Sequence, residues 1–172
     1  VILANEVLDA MPVIRFRVAA EGHMTAGVVE RNGHLDWSWK RDLAQNGRID
    51  RLVKQYGLVA DYTSEVNPSA AAWMQTVGRL LDTGLILVMD YGYPGAEYYH
   101  PERSDGTLMC HYQHRAHMDP FLYPGLQDLT AHVDFSAIAA AGQVRSLIHF
   151  SDPTHPYLTR NPSFAWKKKI EL

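Results

Sequence analysis

The chain has 172 residues, a formal net charge of -3, and a composition 47% hydrophobic and 20% charged. That length supports one domain with a sizeable core and is short for two, and the near-neutral balance gives no electrostatic case for nucleic-acid binding. No apolar run approaches the roughly 20 residues that span a bilayer, and the single cysteine, Cys110, excludes an internal disulfide and fits a reducing compartment.

Val1 to Ala4 is an apolar run without alternation, the pattern of a strand buried on both faces of a parallel sheet. It stops at Asn5-Glu6; Asp9 follows, and Pro12 turns the chain. Ligands of open α/β sheets bind beyond the carboxyl ends of the strands. Asn5, Glu6 and Asp9 therefore stand at that mouth, either binding a cationic or hydroxyl-bearing group or merely capping the next segment against solvent. A buried strand at the first residue predicts partner strands upstream, so the chain is read as the C-terminal part of a larger domain. For the same reason the lack of a targeting peptide carries no information.

Val13 to Val18 alternates apolar and basic residues, as a half-exposed strand does. Thr25–Arg31, Asn32-Gly33 and His34–Trp39 read as a hairpin on a two-residue turn. These elements form a small antiparallel unit, an insertion over about 13–63 between two buried strands. Gln45–Tyr56 is read as a short helix stopped by Gly57. Asn67-Pro68 opens the clearest helix, with a capping residue, proline at N1 and Gly84 past its end. Trp73, Val77, Leu80 and Leu81 are expected to face the sheet. A second apolar run, Leu85–Met89, ends in Asp90-Tyr91-Gly92. Helix followed by buried strand places the chain in the α/β class with a mostly parallel sheet.

Residues 93–104 read as a loop, Gly106–Tyr112 as a strand, His114–Gly125 as a second loop, and Leu129–Val133 as a strand. Asp134 is the expected N-cap of a short helix over Phe135–Ala141 that Gly142 stops. Val144–Phe150 is a candidate last strand, and the proline- and lysine-bearing tail, 151–172, is expected to pack poorly.

Asp90, Tyr91 and Gly92 form a second acidic strand tip, where glycine permits close backbone approach or positive φ and Tyr91 is alternatively a core residue. Asp128, Thr130, His132 and Asp134 alternate with Leu129, Ala131 and Val133, so as one strand they share a face. That polar row either lines a cleft or is a solvated outer face. His111, His114 and His117 lack the spacing and the cysteine partners of a metal site, so no metal is expected. Cys110 has no activating partner and reads as a small buried hydrophobe. There is no G-x-S-x-G elbow, P-loop or G-x-G-x-x-G. That disfavours a hydrolase or oxidoreductase fragment and puts any glycine-rich cofactor loop upstream.

Four stretches occur in order: Ala4-Asn-Glu-Val-Leu-Asp-Ala-Met-Pro12, Met89-Asp-Tyr-Gly-Tyr-Pro94, Gly106-Thr-Leu-Met-Cys-His-Tyr112 with His114-Arg115, and Pro124-Gly-Leu-Gln-Asp-Leu-Thr-Ala-His-Val-Asp-Phe135. Together they resemble the MidA family of class I S-adenosylmethionine-dependent methyltransferases, found in bacteria and, as complex I assembly factors, in mitochondria. The similarity runs from about Val1 to Gly142, and Gln143 onward diverges. The resemblance implies a Rossmann-like methyltransferase sheet with an inserted antiparallel hairpin unit, S-adenosyl-L-methionine as cofactor, and a protein arginine as acceptor, in relatives a complex I subunit. It implies that the Asn5-Glu6 and Asp9 motif borders the methyl-transfer centre. With the residue readings above, Asn5 and Glu6 are the cofactor candidates, Glu6, Asp9 and Asp90 the catalytic ones, and Tyr91, Gly92, Asp128, Thr130 and His132 the substrate-side ones. Bacterial cytoplasm is the expected location, with the mitochondrial matrix as the alternative. The competing reading is a non-catalytic interaction or assembly module, which aromatic loops at Tyr91, Tyr98, Tyr99, Phe121 and Tyr123 would suit.

Overall fold

The computed structural model describes residues 1–143 and the backbone of 165–171; the candidate strand Val144–Phe150 lies outside the described residues. The chain divides into two compact units, one of residues 1–11, 67–98 and 132–172, the other of 12–66 and 99–131. The second unit therefore takes in 99–131 as well as the segment expected as an insertion.

In the first unit, β1 (Ile2–Asn5) and β6 (Leu85–Tyr93) pair in parallel, from Ile2 opposite Ile86 to Asn5 opposite Met89. Further along β6, β10 (Val133–Asp134) joins in parallel with Val133 opposite Gly92. The strand β11 (Ala165–Glu171) runs antiparallel to β6 from Leu85 to Tyr91. Part of the tail expected to pack poorly thus forms a sheet strand, because β6 presents a free row of N–H and C=O groups there.

The helices α2 (Pro68–Leu80) and α4 (Phe135–Gly142) cover the sheet and touch each other. Ala70, Met74 and Val77 of α2 form a core with Ala4, Leu8, Ile86, Val88, Val133, Phe135, Ile138 and Ala141. Trp73 and Leu81 flank that core, whereas Leu80, expected to face the sheet, is 74% exposed. The expectation that β1 is buried on both faces also needs correction. Ala4 is buried, but Leu3 is 63% exposed, because the core helices of this unit lie on the Ala4 side and Leu3 points the other way.

Asn67 does more than begin α2. Its side-chain oxygen accepts from Ala70 N–H at 2.9 Å, while its Nδ2 donates to the carbonyls of Leu8 (3.2 Å) and Met11 (3.4 Å). One amide thus caps a helix and ties down the turn that follows β1. Asn67→Ala is expected to cost about 1–2 kcal/mol. Asn67→Asp keeps the cap oxygen but not the two donations, so it should fall between wild type and alanine in chemical denaturation.

In the second unit, an antiparallel sheet runs in the order β4-β3-β2-β5, from β2 (Ile14–Ala19), β3 (Gly22–Arg31), β4 (His34–Lys40) and β5 (Thr63–Val66). Asn32 and Gly33 both have positive φ, 53° and 81°, as the two-residue turn of the β3–β4 hairpin requires. On β2, Phe16 and Val18 are buried on one face, while Arg15 and Arg17 lie on the other beneath Trp37 and Trp39, the Arg17 guanidinium 4.3 Å from the Trp39 ring centre. The helix α1 (Leu43–Tyr56) is capped by Asp42 and ends at Gly57 (φ 64°), burying Ile49. Where a loop was expected over 93–104 there are two short turns, α3 (Gly95–Tyr98) in the first unit and a 3-10 turn (Pro101–Arg103) in the second. A three-stranded antiparallel sheet, β8-β7-β9, follows from β7 (Met109–Tyr112), β8 (Arg115–His117) and β9 (Asp128–Thr130). Cys110 lies fully buried on β7, and burial pushes its thiol up, helped by Asp119.

Candidate active site

The densest chemistry in the first unit gathers where β1 ends. Asn5 and Glu6 are exposed, and neither side chain holds a hydrogen bond among the described residues. Glu6 sits in the left-handed region at φ 50°, unusual for a residue with a Cβ. Its backbone N–H still donates to Met89 O at 2.8 Å, the last rung between the two strands. Asp9 is half-buried three residues on. Burial pushes its carboxyl up, and the neighbouring Asp90 and Glu6 carboxylates push the same way against the Ala10 N–H.

Asp90 lies on β6 with its carboxylate directed at the turn after β1, and it is only 2% exposed. Its Oδ2 accepts from Val7 N–H (3.1 Å) and Leu8 N–H (2.8 Å), and its Oδ1 from Tyr91 N–H (2.9 Å). Burial raises the Asp90 carboxyl, and these backbone donors oppose the shift. Tyr91 points out, 37% exposed. Gly92 has ordinary negative φ and is there for closeness: a Cβ on it would collide with the Val133 carbonyl of β10. Tyr93 stacks on His132, ring centres 5.1 Å apart.

The polar row Asp128, Thr130, His132, Asp134 is not one strand. Asp128 and Thr130 belong to β9 in the second unit, paired with His111 and Met109. His132 lies in the first unit, and Asp134 caps α4 by accepting from Ser136 (3.0 Å) and Ala137 (3.1 Å). Alternation had suggested a single face; the strand breaks after Thr130 because its two ends pair with different sheets. Asn5, Glu6, Asp9, Asp90, Tyr91, Gly92 and His132 thus share one unit, and Asp128 and Thr130 stand in the other. Of the aromatics suggested as a partner surface, Tyr98 and Tyr99 are 2% exposed and belong to the cores instead.

Two features escaped sequence reasoning. One is the second role of Asn67, whose position read only as a helix cap. The other is a buried ion pair in the second unit. Glu65 is fully buried; its Oε1 meets Arg15 at 2.7 Å and its Oε2 accepts from Thr107 N–H at 2.8 Å. Arg15 also reaches the Asp105 carbonyl (2.9 Å) and carboxylate (3.1 Å). The signal in the sequence was a lone glutamate between apolar and hydroxyl residues in Thr63–Val66, opposite an arginine on an alternating strand. Among the described residues no group of three or more His, Cys, Asp or Glu side chains is placed to hold a metal ion, and no helix is long and apolar enough to cross a membrane.

Residues 1–154 match a family described as "Putative S-adenosyl-L-methionine-dependent methyltransferase". A COG1565 superfamily member from Burkholderia thailandensis, crystallised with S-adenosyl-homocysteine bound, superposes with a TM-score of 0.75 at 43% identity, over 81% of this chain and 36% of that one. A native crystal structure of a COG1565 protein from the same organism gives 0.73 at 44% identity, over 81% and 37%. Among curated proteins, the mitochondrial protein arginine methyltransferase NDUFAF7 homologue of Drosophila melanogaster is 27% identical over 88% of this chain and 34% of its own length. Human NDUFAF7 is 30% identical over 84% and 32%. The chain thus spans about a third of the length of these relatives. With nearly its whole length matched by the family, the chain belongs to this family of S-adenosylmethionine-dependent methyltransferases.

Proposed function

We propose that this chain forms the acceptor side of a methyltransferase that transfers a methyl group from S-adenosyl-L-methionine to an arginine side chain of a protein. The observation that carries the reading is the exit of β1, where an exposed Glu6 and a half-buried Asp9 project from a fixed turn. The family match and the S-adenosyl-homocysteine held by the Burkholderia relative support the cofactor. The unengaged carboxamide of Asn5 and carboxylate of Glu6, at the carboxyl end of a parallel strand, fit its polar groups and positive sulfur. The cofactor supplies an electrophilic methyl carbon.

Glu6 grips the guanidinium through charge-assisted hydrogen bonds and so aligns one nitrogen for attack. The methylated guanidinium must shed one proton, and Asp9 accepts it, a task helped by a carboxyl that burial pushes up. In this reading the first unit is part of a Rossmann-like sheet and the antiparallel sheet of the second is a family insertion. Arginine as acceptor rests on the names of relatives at 27–30% identity, and complex I assembly as context rests on the resemblance to the MidA family. The mitochondrial relatives support the matrix, the alternative location, while the bacterial cytoplasm rests on the resemblance alone.

The test is Glu6→Gln in the protein at its natural length, assayed with labelled S-adenosylmethionine and arginine peptides. Loss of one charge-assisted contact should lower kcat/KM for the acceptor by roughly 10- to 100-fold, with a smaller loss of cofactor affinity. Full activity in Glu6→Gln excludes that residue from gripping the acceptor.

A further inference from the structure

The geometry points to Asp90 as a positioning residue that acts through Glu6: its buried carboxylate holds the turn after β1 and thereby keeps Glu6 in the left-handed conformation from which its side chain meets the acceptor. This role rests on the methyltransferase function proposed for the chain and gives Asp90 a task other than contact with substrate.

Glu6 is strained. A left-handed backbone disfavours a residue with a Cβ, and only a surrounding structure that over-determines it keeps it there. The constraints are visible on both sides. Before the side chain, Glu6 N–H is tied to Met89 O at 2.8 Å. After it, the next two N–H groups, Val7 and Leu8, both donate to Asp90 Oδ2. The turn is then closed by Met11 N–H on Leu8 O at 3.2 Å, and Asn67 Nδ2 holds the carbonyls of Leu8 and Met11. Leu8 is itself fully buried in the core.

Both Asp90 oxygens are committed to backbone donors, Oδ2 to the turn and Oδ1 to Tyr91 N–H. With 2% exposure it has no free face to offer an acceptor. Asparagine at this position keeps the volume but fails chemically. Its oxygen can serve one set of N–H groups, and its NH2 then confronts the other, donor against donor. Serine removes the bulk and offers one hydroxyl oxygen.

The test uses Asp90→Asn and Asp90→Ser in the protein at its natural length, each also combined with Glu6→Gln. Each Asp90 substitution alone should lower kcat/KM for an arginine peptide by roughly 30-fold, with cofactor affinity kept within about threefold. In the Glu6→Gln background the same substitution should cost no more than about twofold further, since residues that act as one unit are non-additive. A merely structural role would multiply the two losses, and multiplication overturns the proposal. Amide hydrogen exchange adds a readout that needs no catalysis and no variant: Val7 and Leu8 N–H should exchange slowly in the unsubstituted protein although they lie in an irregular turn. Fast exchange at both overturns the clamp even where the Asp90 variants do not fold. Absence of any methyl transfer by the unsubstituted protein overturns the functional reading and this proposal with it, whereas transfer with multiplied losses overturns the proposal alone.

Discussion

Replacing Arg15 with alanine is expected to cost about 3–5 kcal/mol of stability, because it strands a buried carboxylate. Glu65 is fully buried, with Arg15 at 2.7 Å as its counter-charge and Thr107 N–H at 2.8 Å as its other donor. Gly106 makes the fit possible: it has φ 79°, and a Cβ there would collide with the Glu65 carboxylate. Burial already pushes the Glu65 carboxyl above the ordinary glutamate value of 4.5, with Thr107 and Arg15 opposing the rise. Removing Arg15 raises it further. A carboxyl raised on folding favours the folded state while protonated, and that contribution is lost as pH climbs through the raised value. The stability gap between Arg15→Ala and wild type should therefore be smallest near pH 4.5 and widen toward neutrality. Urea denaturation at a series of pH values measures it, and a gap independent of pH refutes the burial argument. Adding Glu65→Gln to Arg15→Ala should recover a large part of the loss at about pH 7, since a neutral amide can still accept from Thr107 N–H and leaves no buried charge.

Gly92→Ala is expected to destabilise the first unit by about 3 kcal/mol, at the upper end of ordinary overpacking. The added methyl would meet the backbone of Val133, and a backbone cannot rotate aside as a side chain can. Either β10 separates from β6 or β6 bends. Both disturb Val133 and Phe135, which sit in the core, and the Asp134 cap that starts α4. Thermal unfolding should show a lower midpoint, and amide exchange should localise the damage to 133–137. Gly84→Ala is the control: it lies beyond α2, where a Cβ would make only ordinary contacts with the Leu81 side chain. Equal losses from the two glycines would show that conformational freedom, not close approach, is what Gly92 provides.

Much of the secondary structure was legible because its causes are local. Asn67 and Asp134 cap the helices expected from their spacing, Gly57 terminates α1 in a left-handed conformation, and Asn32-Gly33 turns the β3–β4 hairpin. Each depends on residues within one turn of chain, so the amino-acid order suffices. The run Leu85–Met89 likewise announced the central strand, because an uninterrupted apolar stretch has few other solutions. Glu6 follows the end of β1 as expected and lies beside Asp90, but Asp90-Tyr91-Gly92 is no strand tip, because β6 runs on to Tyr93 where β10 pairs with it.

What the order of residues left open was the partner of each charge. Glu6 and Asp90 look alike as acids ending buried strands. Yet one is exposed in a strained turn, and the other is buried beneath amides 82 and 83 positions away. Glu65 and Arg15 meet across 50 positions. The alternating stretch 128–134 satisfied a strand pattern, but its two ends were claimed by different sheets. Alternation and capping are set by neighbours in the chain, and the sequence by itself therefore determined the elements. Desolvation and hydrogen-bond pairing depend on which distant segments exclude water from a group, and only the tertiary structure decided which carboxylate faces outward and which holds the turn in place.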